Sequence, residues 1–538
     1  MNPISYAYGT NHFTRDVLLQ DVLRHFWPAY PEHESELVRF GAYVGREVYE
    51  TVYHVDHDAP PILIHHDLDG RRIDRVRLSP AHRQVLQELA AINRPPYEGG
   101  SWHHHFSFGY LIGDPGLYCI LTITNQVAYA IHKYAPEFSA WKDALLSGQA
   151  FGATWMTESQ GGSDLGANRT TARRDGSVWR LTGDKYFASG AGLTDYAITT
   201  ARPEGAPAGP KGLALFLLPR LNRDGELNFH VRRLKDKSAT RAVPSGEAEL
   251  MDSEAYLIGE ARLGIYYTLE NLTVSRLANA IGAMGIAQKA LLEVLGRVTR
   301  RTSFGRLLQD HPLIRRDLAD FHVRQAGGLA LTFQAIDAFD HAWSDRPPYT
   351  PAYHHARFLT HLVKTRTADH AAHLTALAME LFGGLGFLEE YGVARWHREA
   401  LITPIWEGPS NIQALDFLET VLKQKAHERF LETVVVPLEG VGQAEARQAA
   451  KAAQAALEQL AALPKEQAEW HAKHTLRLIA DAAQAAALYR LAETAGERYE
   501  KFAQLYIRHF IQHEEYPDWV LSDPEVWGVG LDAARSDS

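Results

Sequence analysis

The chain has 538 residues, several times the size of a typical domain, so we expect more than one domain. With 46% hydrophobic and 22% charged residues it is globular, and a net charge of −10 disfavours a surface built throughout to bind nucleic acid. The single cysteine, Cys119, excludes an intrachain disulfide, and neither a membrane-spanning run nor a signal peptide is recognisable, so we expect a soluble cytoplasmic protein.

Four blocks follow one another along the chain. Residues 1–154 have apolar residues at helical spacing and predict an N-terminal helical domain. Residues 155–262 carry short alternating segments with frequent turns, which predict a small β-barrel or sandwich. Residues 263–425 return to long helices that predict a bundle, and residues 426–538 predict an extra helical domain with Pro464 between two helices. The predicted fold class is therefore α+β.

The first candidate site is the segment MTESQGGSDLGANRTTA, residues 156–172, where helix gives way to strand. Its glycines let the main chain approach a ligand closely. The hydroxyls of Thr157 and Ser163 can pair with a heteroaromatic edge or with phosphate oxygens. An ordinary polar loop between domains explains the composition equally well.

The second candidate site is the predicted strand in TGDKYFASGAG, residues 182–192. Phe187 and Ser189 are two residues apart, so both project from one face of a strand, where a flat ring could lie. The alternative is that the aromatic side chain packs into the core of the barrel.

Two further motifs are weak individually. RRTSFG, residues 300–305, places adjacent arginines at the end of a long helix, where they can bind a diphosphate or cap the helix C-terminus. FGGLGF, residues 382–387, is a glycine-rich turn without the preceding strand of a dinucleotide-binding fingerprint.

Glu407 is the candidate base. It lies in REALITPIWEGPSNIQALDFLE, beside an aromatic residue and just before a helix that begins with Pro409 or Ser410. A carboxylate in such a place can remove a proton from a bound substrate. The alternative is an acidic residue favoured there by the helix dipole.

Histidines are frequent, with His103, His104 and His105 in SWHHHF and His54 and His57 in YHVDHD. In a strand or loop, three consecutive histidine rings would point in different directions, and no HExxH motif is present. We therefore expect no metal site, and histidines of the surface or core.

In order and separation the motifs resemble those of the acyl-CoA dehydrogenase family, over roughly residues 80–425. The segment DLDGRRIDRVRLSPAH, the RLKDK run at residues 233–237, the IWEG form of the base motif and the last helical block resemble its adaptive-response, AidB-like branch. The resemblance implies a helical domain, a β-barrel and a helical bundle, with FAD between barrel and bundle. It also implies a homotetramer and an acyl-CoA or similar thioester as substrate, and it leaves the electron acceptor open.

The resemblance assigns roles by position. Glu407 matches the family's catalytic base, and Arg276 matches an arginine on the substrate side. The other base position used in the family falls at Ser275, which cannot serve. Pro409 stands where a flavin-contacting threonine is usual, and Glu380 stands where many members have a glutamine near the adenosine. The implied FAD contacts are Met156, Thr157, Gly162, Ser163, Phe187, Ala188, Ser189, Arg301, Ser303, Phe304, Gly383, Gly384, Trp406, Gly408, Ser410 and Asn411.

The implied chemistry is α,β-dehydrogenation of an acyl-CoA thioester. A carboxylate takes the α-proton while the β-hydrogen leaves as hydride to the flavin, and the enoyl thioester is the product. By the same resemblance, Arg301 reaches the diphosphate of a neighbouring subunit's FAD, and Gly383 and Gly384 close over its adenosine.

Two other classes stay open at this point. One is an AidB-like, DNA-associated flavoprotein of the alkylation-damage response with weak or no turnover, and the other is a protein that holds FAD without turnover. Residues 421–538 carry a net charge of −5. We therefore expect any DNA affinity to be weak, independent of sequence and nearly gone at physiological salt.

Overall fold

The structure, a computed structural model, describes residues 4–528 and divides the chain into two compact units. Within the described residues, the helical unit comprises residues 4–50, 101–115 and 276–528, and the barrel unit comprises residues 51–100 and 116–275. The helices are α1 (Val17–Phe26), α2 (Tyr30–Tyr43), α3 (Tyr49–His57), α4 (Pro80–Leu89), α5 (Trp102–Ile112), α6 (Pro115–Tyr134), α7 (Ser139–Leu146), α8 (Gly264–Val298), α9 (Pro312–Asp340), α10 (Pro351–Phe382), α11 (Gly392–Ala400), α12 (Ser410–Leu422), α13 (Ala426–Phe430), α14 (Val436–Gly440), α15 (Ala444–Ala462), α16 (Lys465–Ala495), α17 (Glu497–Tyr506) and α18 (Pro524–Trp527). The strands are β1 (Ile62–His66), β2 (Arg72–Arg77), β3 (Gly152–Trp155), β4 (Thr171–Asp175), β5 (Val178–Ser189), β6 (Tyr196–Pro203), β7 (Ala214–Pro219), β8 (His230–Leu234), β9 (Ser245–Leu257), β10 (Thr302–Ser303) and β11 (Arg306–Leu307).

A closed β-barrel forms the centre of the barrel unit. Its ring runs β6, β4, β5, β9 and β7, and β7 pairs back onto β6. β3 adds to β6 in parallel, and β8 adds to β9 antiparallel. Apolar side chains that alternate along the strands fill the interior, among them Trp155, Leu181, Phe216, Val231 and Leu250. The predicted barrel is confirmed.

The helical unit is built on α9, α10 and the C-terminal part of α8. Small residues allow close helix contacts: a Cβ at Gly285 would lie 2.2 Å from the carbonyl oxygen of Tyr110, so only glycine fits there. An apolar cluster joins the helices through Leu291, Phe321 and Leu374, all of which are buried. None of the helices within residues 4–528 is long and apolar enough to cross a membrane.

The last helical block agrees with the sequence prediction. Its two long alanine-rich helices, α15 and α16, meet at Leu463 and Pro464, and Pro464 occupies the N-cap of α16. The α+β class with an extra C-terminal helical region is thus confirmed, whereas the exact domain boundaries at residues 154, 262 and 425 stay predictions.

Two local expectations for the N-terminal region were wrong. Within residues 1–154, expected to be helical, the DLDGRR segment joins strands β1 and β2 of a hairpin. The three histidines of SWHHHF, expected in a strand or loop, lie buried in α5. Ser101 caps that helix by accepting a hydrogen bond from the backbone N–H of His104, and apolar residues on all sides favour a buried helix.

Candidate active site

In the barrel unit, hydrogen bonds hold two of the predicted site segments together. The backbone N–H of Tyr186 on β5 donates to the carbonyl oxygen of Thr157 at 3.0 Å. The indole N–H of Trp155 donates to the carbonyl oxygen of Ser189 at 2.9 Å. The structure therefore brings together the hydroxyl loop after β3 and the aromatic end of β5.

A buried ion pair reinforces this junction. The Lys185 Nζ lies 2.9 Å from Oε1 of Glu158, which also accepts a hydrogen bond from Thr170 Oγ1 at 2.6 Å, while Oε2 accepts from the backbone N–H of Arg169. Burial alone would raise the pKa of Glu158, but the ammonium and these hydrogen bonds outweigh it and lower that pKa to about 2. The carboxylate is therefore charged at neutral pH and fixes the loop on the strand.

We expect Glu158→Gln to reduce the free energy of unfolding by about 3 kcal/mol at neutral pH, because it leaves Lys185 buried without its counter-ion. Since the folded pKa lies below the ordinary value of 4.5, the carboxylate's contribution is complete above that value and is lost as the pH falls towards 2. Urea unfolding from neutral pH to pH 3 measures it: the wild type and the variant should converge in acid. The exposed Glu204→Gln is the control, and a constant difference at all pH values would contradict this account.

Phe187 presents an aromatic face to its surroundings. Its side chain is 55% exposed, so the alternative that it packs into the barrel core is wrong. Beside it, the Oγ atoms of Ser189 and Ser245 lie 3.2 Å apart. In the adjacent loop a Cβ at Gly162 would lie 2.4 Å from Oγ1 of Thr157, so glycine is needed for that hydroxyl's position. An exposed ring bordered by hydroxyls and a tight glycine loop fits a flat, polar-edged group such as a flavin.

In the helical unit, Glu407 occupies a strained turn. Its φ is +57° and that of Gly408 is +91°, which is the left-handed region. For a glutamate this conformation costs about 1–3 kcal/mol unless the surroundings enforce it. Glu407 lies two residues before Pro409, the N-cap of α12, so a catalytic base and an acidic residue favoured by the helix dipole both stay open.

Three side chains from three helices hold this turn. Arg276 Nε on α8 donates to the carbonyl oxygen of Glu407 at 3.1 Å, and Gln413 Nε2 on α12 donates to the same oxygen at 2.8 Å. Lys364 Nζ on α10 donates to the carbonyl oxygen of Gly408 at 2.8 Å. Hydrogen bonds to the carbonyl oxygens of Glu407 and Gly408 therefore fix the turn that carries the candidate base.

The side chains that hold the turn are themselves oriented by other groups. Arg276 Nη2 pairs with Asp416 at 2.8 Å, and Gln413 Oε1 lies 2.9 Å from Nδ1 of His361. Trp406, next to the base, donates from Nε1 to Oδ1 of Asn279. This support favours a single conformation of the turn.

After Arg276, Lys364 is the second basic side chain near Glu407. Burial lowers the pKa of Lys364 to about 7, although the neighbouring Glu407 carboxylate acts to raise it. The sequence analysis missed Lys364 and Gln413. A lysine within the apolar run HLVKT of a long helix was the one available indication of Lys364, since such a lysine needs a specific partner.

The remaining predicted cofactor residues lie at exposed turns of the helical unit. Arg301, Ser303 and Phe304 belong to the hairpin of β10 and β11 that follows α8. Gly383 and Gly384 form the turn after α10, with open space where a Cβ would lie. Ser410 and Asn411 open α12, and Asn411 Oδ1 accepts a hydrogen bond from Lys473 at 3.1 Å. Their roles, and those of Met156, Ser163 and Ala188, stay predictions.

One group of side chains in the helical unit could hold a metal ion. His104 Nε2 lies 3.0 Å from Glu36, and His33 Nδ1 lies 3.5 Å from the same carboxylate. Trp27 stacks on His33 and tilts against His104, with ring centroids 4.9 and 5.1 Å apart. The hydrogen bond and the ring packing account for this cluster without an ion.

Three family models match the chain in succession. They are the adaptive response protein AidB N-terminal domain over residues 2–150, the acyl-CoA dehydrogenase middle domain over 153–253 and the acyl-CoA dehydrogenase C-terminal domain over 262–422. The class that the fold and the site define is that of oxidoreductases acting on acyl-CoA thioesters.

The chain belongs to the acyl-CoA dehydrogenase family. It is 31% identical over 409 residues to the putative acyl-CoA dehydrogenase AidB of Escherichia coli, a match that covers 71% of this chain and 73% of that protein. Acyl-CoA dehydrogenase family member 11 of Caenorhabditis elegans is 28% identical over 448 residues, covering 76% of this chain and 70% of that protein. The cofactor of the family is FAD, which confirms the cofactor predicted from the sequence.

Solved structures show the same fold. ACDH-11 of Caenorhabditis elegans in complex with C11-CoA gives a TM-score of 0.81 at 24% identity and covers 94% of this chain and 92% of that chain. The apo form of Bd2924 gives a TM-score of 0.80 at 28% identity and covers 91% of this chain and 100% of that chain. The extra helical region after residue 425 therefore lies within a fold already seen in solved proteins.

Proposed function

We propose that this protein is an FAD-dependent acyl-CoA dehydrogenase with Glu407 as the catalytic base. The observation that carries the proposal is the turn at Glu407 and Gly408, a strained conformation held by Arg276, Lys364 and Gln413. A base that acts on a weakly acidic carbon needs a fixed position more than it needs strength. Four hydrogen bonds from these three side chains to the two carbonyl oxygens are well suited to that purpose.

Different residues of the chain would bind the cofactor and remove the proton. In the barrel unit, Thr157, Phe187 and Ser189 would hold the ring of FAD, which when bound accepts the hydride from the β-carbon of the acyl chain. Glu407 removes the proton from the α-carbon. Its backbone N–H, on the same turn, would donate to the thioester carbonyl as negative charge develops there. The α,β double bond forms as the proton and hydride leave, and the product is the enoyl thioester.

The oligomeric state and the location of the protein are part of the same proposal. We infer a homotetramer in which Arg301 reaches the FAD of a neighbouring subunit, and a reducing, cytoplasmic location that the single cysteine supports. The DNA-associated alternative has less support, because residues 421–538 carry a net charge of −5.

The test is an anaerobic titration of the purified protein with acyl-CoA thioesters of increasing chain length. We expect one non-covalent FAD per chain and loss of visible flavin absorbance with at least one thioester. Release of the enoyl thioester, identified by mass spectrometry, would separate dehydrogenation from simple binding. A flavin that stays oxidised with every thioester would favour a protein that holds FAD without turnover, and a colourless protein that takes up no FAD would refute the proposal.

A further inference from the structure

The exposed aromatic ring of the barrel unit lies in a β-bulge. Lys185 pairs with Ala248 of β9 and Ala188 pairs with Gly246, so two residues of β5, Tyr186 and Phe187, stand opposite one residue of β9. A bulge re-aims side chains at the point where it interrupts the ladder, and it often adjoins a functional site. The single residue opposite this bulge is Glu247.

A lysine is packed against both rings of the bulge. Lys235 Nζ lies 3.3 Å from the centroid of the Tyr186 ring and 4.9 Å from the centroid of the Phe187 ring. The same ammonium donates to Oε1 of Glu247 at 2.9 Å, and the Lys235 side chain is almost fully buried. Lys235 therefore joins the carboxylate opposite the bulge to the two rings that the bulge presents.

This arrangement gives a role to the RLKDK run, residues 233–237, that the sequence analysis left without one. Arg233 also binds Glu247, at 2.8 Å, but its side chain is 57% exposed, whereas that of Lys235 is 8% exposed. Lys237 donates instead to the carbonyl oxygens of Thr240 and Val243. Because Arg233 and Lys235 share a single carboxylate, the group carries one net positive charge.

We propose that Lys235 is a positioning residue that fixes the bulge at Tyr186 and Phe187 and places a positive charge behind the aromatic face offered to the flavin. The inference rests on the proposed function, in which Phe187 contacts the flavin ring. Reduction adds negative charge to a flavin ring, so a fixed cation nearby favours the reduced form over the oxidised form. Packing of the ammonium against the two rings also stabilises the bulge itself through cation–π contacts.

The test is a redox titration of the FAD-loaded protein without any substrate. For Lys235→Met we expect the binding ratio of reduced to oxidised FAD to fall about tenfold, equivalent to about 30 mV lower midpoint potential for a two-electron couple. The near-ultraviolet circular dichroism of the aromatic residues should change in the apo protein as well. Lys235→Gln, which keeps a polar group near Glu247, is the second neutral variant and should show the same fall in potential.

Two further variants separate positioning from general stability. Lys235→Arg keeps the charge and can still lie over the rings, so it should restore the potential. Arg233→Met removes the same charge from the same carboxylate, but at an exposed position where solvent screens it. It should leave the ratio of reduced to oxidised FAD binding within about a factor of two of the wild-type ratio.

The results distinguish failure of the proposed role of Lys235 from failure of the proposed function. If the wild type binds FAD and both neutral variants keep its potential, the role of Lys235 is overturned while the proposed function stands. Equal shifts in Lys235→Met and Arg233→Met would also overturn it, because charge alone would then explain the effect. If the wild type takes up no FAD, the proposed function fails and this inference fails with it.

Discussion

We expect Glu407→Gln to abolish the proposed flavin bleaching by acyl-CoA thioesters, with a loss of about 10²–10⁴-fold or more in the rate of reduction. The amide keeps the size and shape of the side chain but has no basic oxygen to take the α-proton. FAD should stay bound, since the substitution leaves both carbonyl groups of the turn in place. Stopped-flow reduction under anaerobic conditions measures the rate, and flavin absorbance per chain measures the binding.

The matched control for this substitution is Glu419→Gln on α12. Glu419 is exposed and interacts with Lys423 at 3.6 Å, so its loss should leave the reduction rate unchanged. Near wild-type bleaching in Glu407→Gln would mean that another group is the base.

Glu270 is the next carboxylate to test in that case, but the structure argues for a structural role. It is buried in the barrel unit, where Lys133 Nζ lies 2.5 Å from Oε2 and the hydroxyls of Tyr129 and Tyr134 donate to its oxygens. A buried carboxylate with so many partners is costly to move or to remove. Its loss should therefore lower stability rather than stop proton transfer alone.

The sequence could predict the candidate base but not the groups that hold it. Glu407 and Gly408 lie within one short motif, so their spacing is visible along the chain. Arg276 and Lys364 lie far from them in sequence, and their bonds go to main-chain carbonyl groups, which leave no pattern of side-chain types. The sequence analysis placed Arg276 on the substrate side, and that role stays a prediction beside its observed bonds to the turn and to Asp416.

In the barrel unit, too, some features could be predicted from the sequence and others could not. Alternation along β5 predicted the strand and the shared face of Phe187 and Ser189, because side chains alternate in any strand. The bulge was not predictable, since it depends on the register between β5 and β9 and thus on pairing between distant segments. For the same reason the contact of Lys235 with the two rings required the folded structure.

The histidines show how local pattern can mislead. Three consecutive polar residues suggested a strand or loop, yet Ser101 and the flanking aromatic residues make this segment a buried helix. Burial is supplied by residues from other segments, so composition within the segment could not reveal it. His104 then meets Glu36 across helices α5 and α2.

The hairpin of β10 and β11 ends in a tight turn with an exposed aromatic side chain. Its two-residue turn, Phe304 and Gly305, has φ values of +48° and +78°, and the Phe304 side chain is 97% exposed. A two-residue turn with positive φ at both positions matches the right-handed twist of the strands that it joins. The proposed contact of Arg301 with a neighbouring subunit would lie beside this exposed tip.

We expect Arg301→Ala to weaken FAD binding by about 30-fold or more and to shift the assembly towards smaller species at the same time. In the proposed tetramer the Arg301 guanidinium meets the diphosphate of a neighbouring subunit's FAD. Loss of one partner of a charge pair that is buried on assembly costs about 2–5 kcal/mol, because the phosphate charge is left uncompensated. Flavin content after gel filtration and mass by light scattering, measured on one sample over a range of added FAD, report both effects.

Arg300→Ala is the matched control for this substitution. Arg300 is the adjacent residue with the same charge, but it donates to the carbonyl oxygen of Gly296 at 2.8 Å and lies over the ring of Tyr6, so it is engaged within its own subunit. Its loss should leave flavin content and mass close to the wild type. If both variants retain FAD equally, Arg301 does not bind the diphosphate. If Arg301→Ala loses FAD while the assembly keeps its mass, the expected link between FAD binding at Arg301 and assembly is wrong.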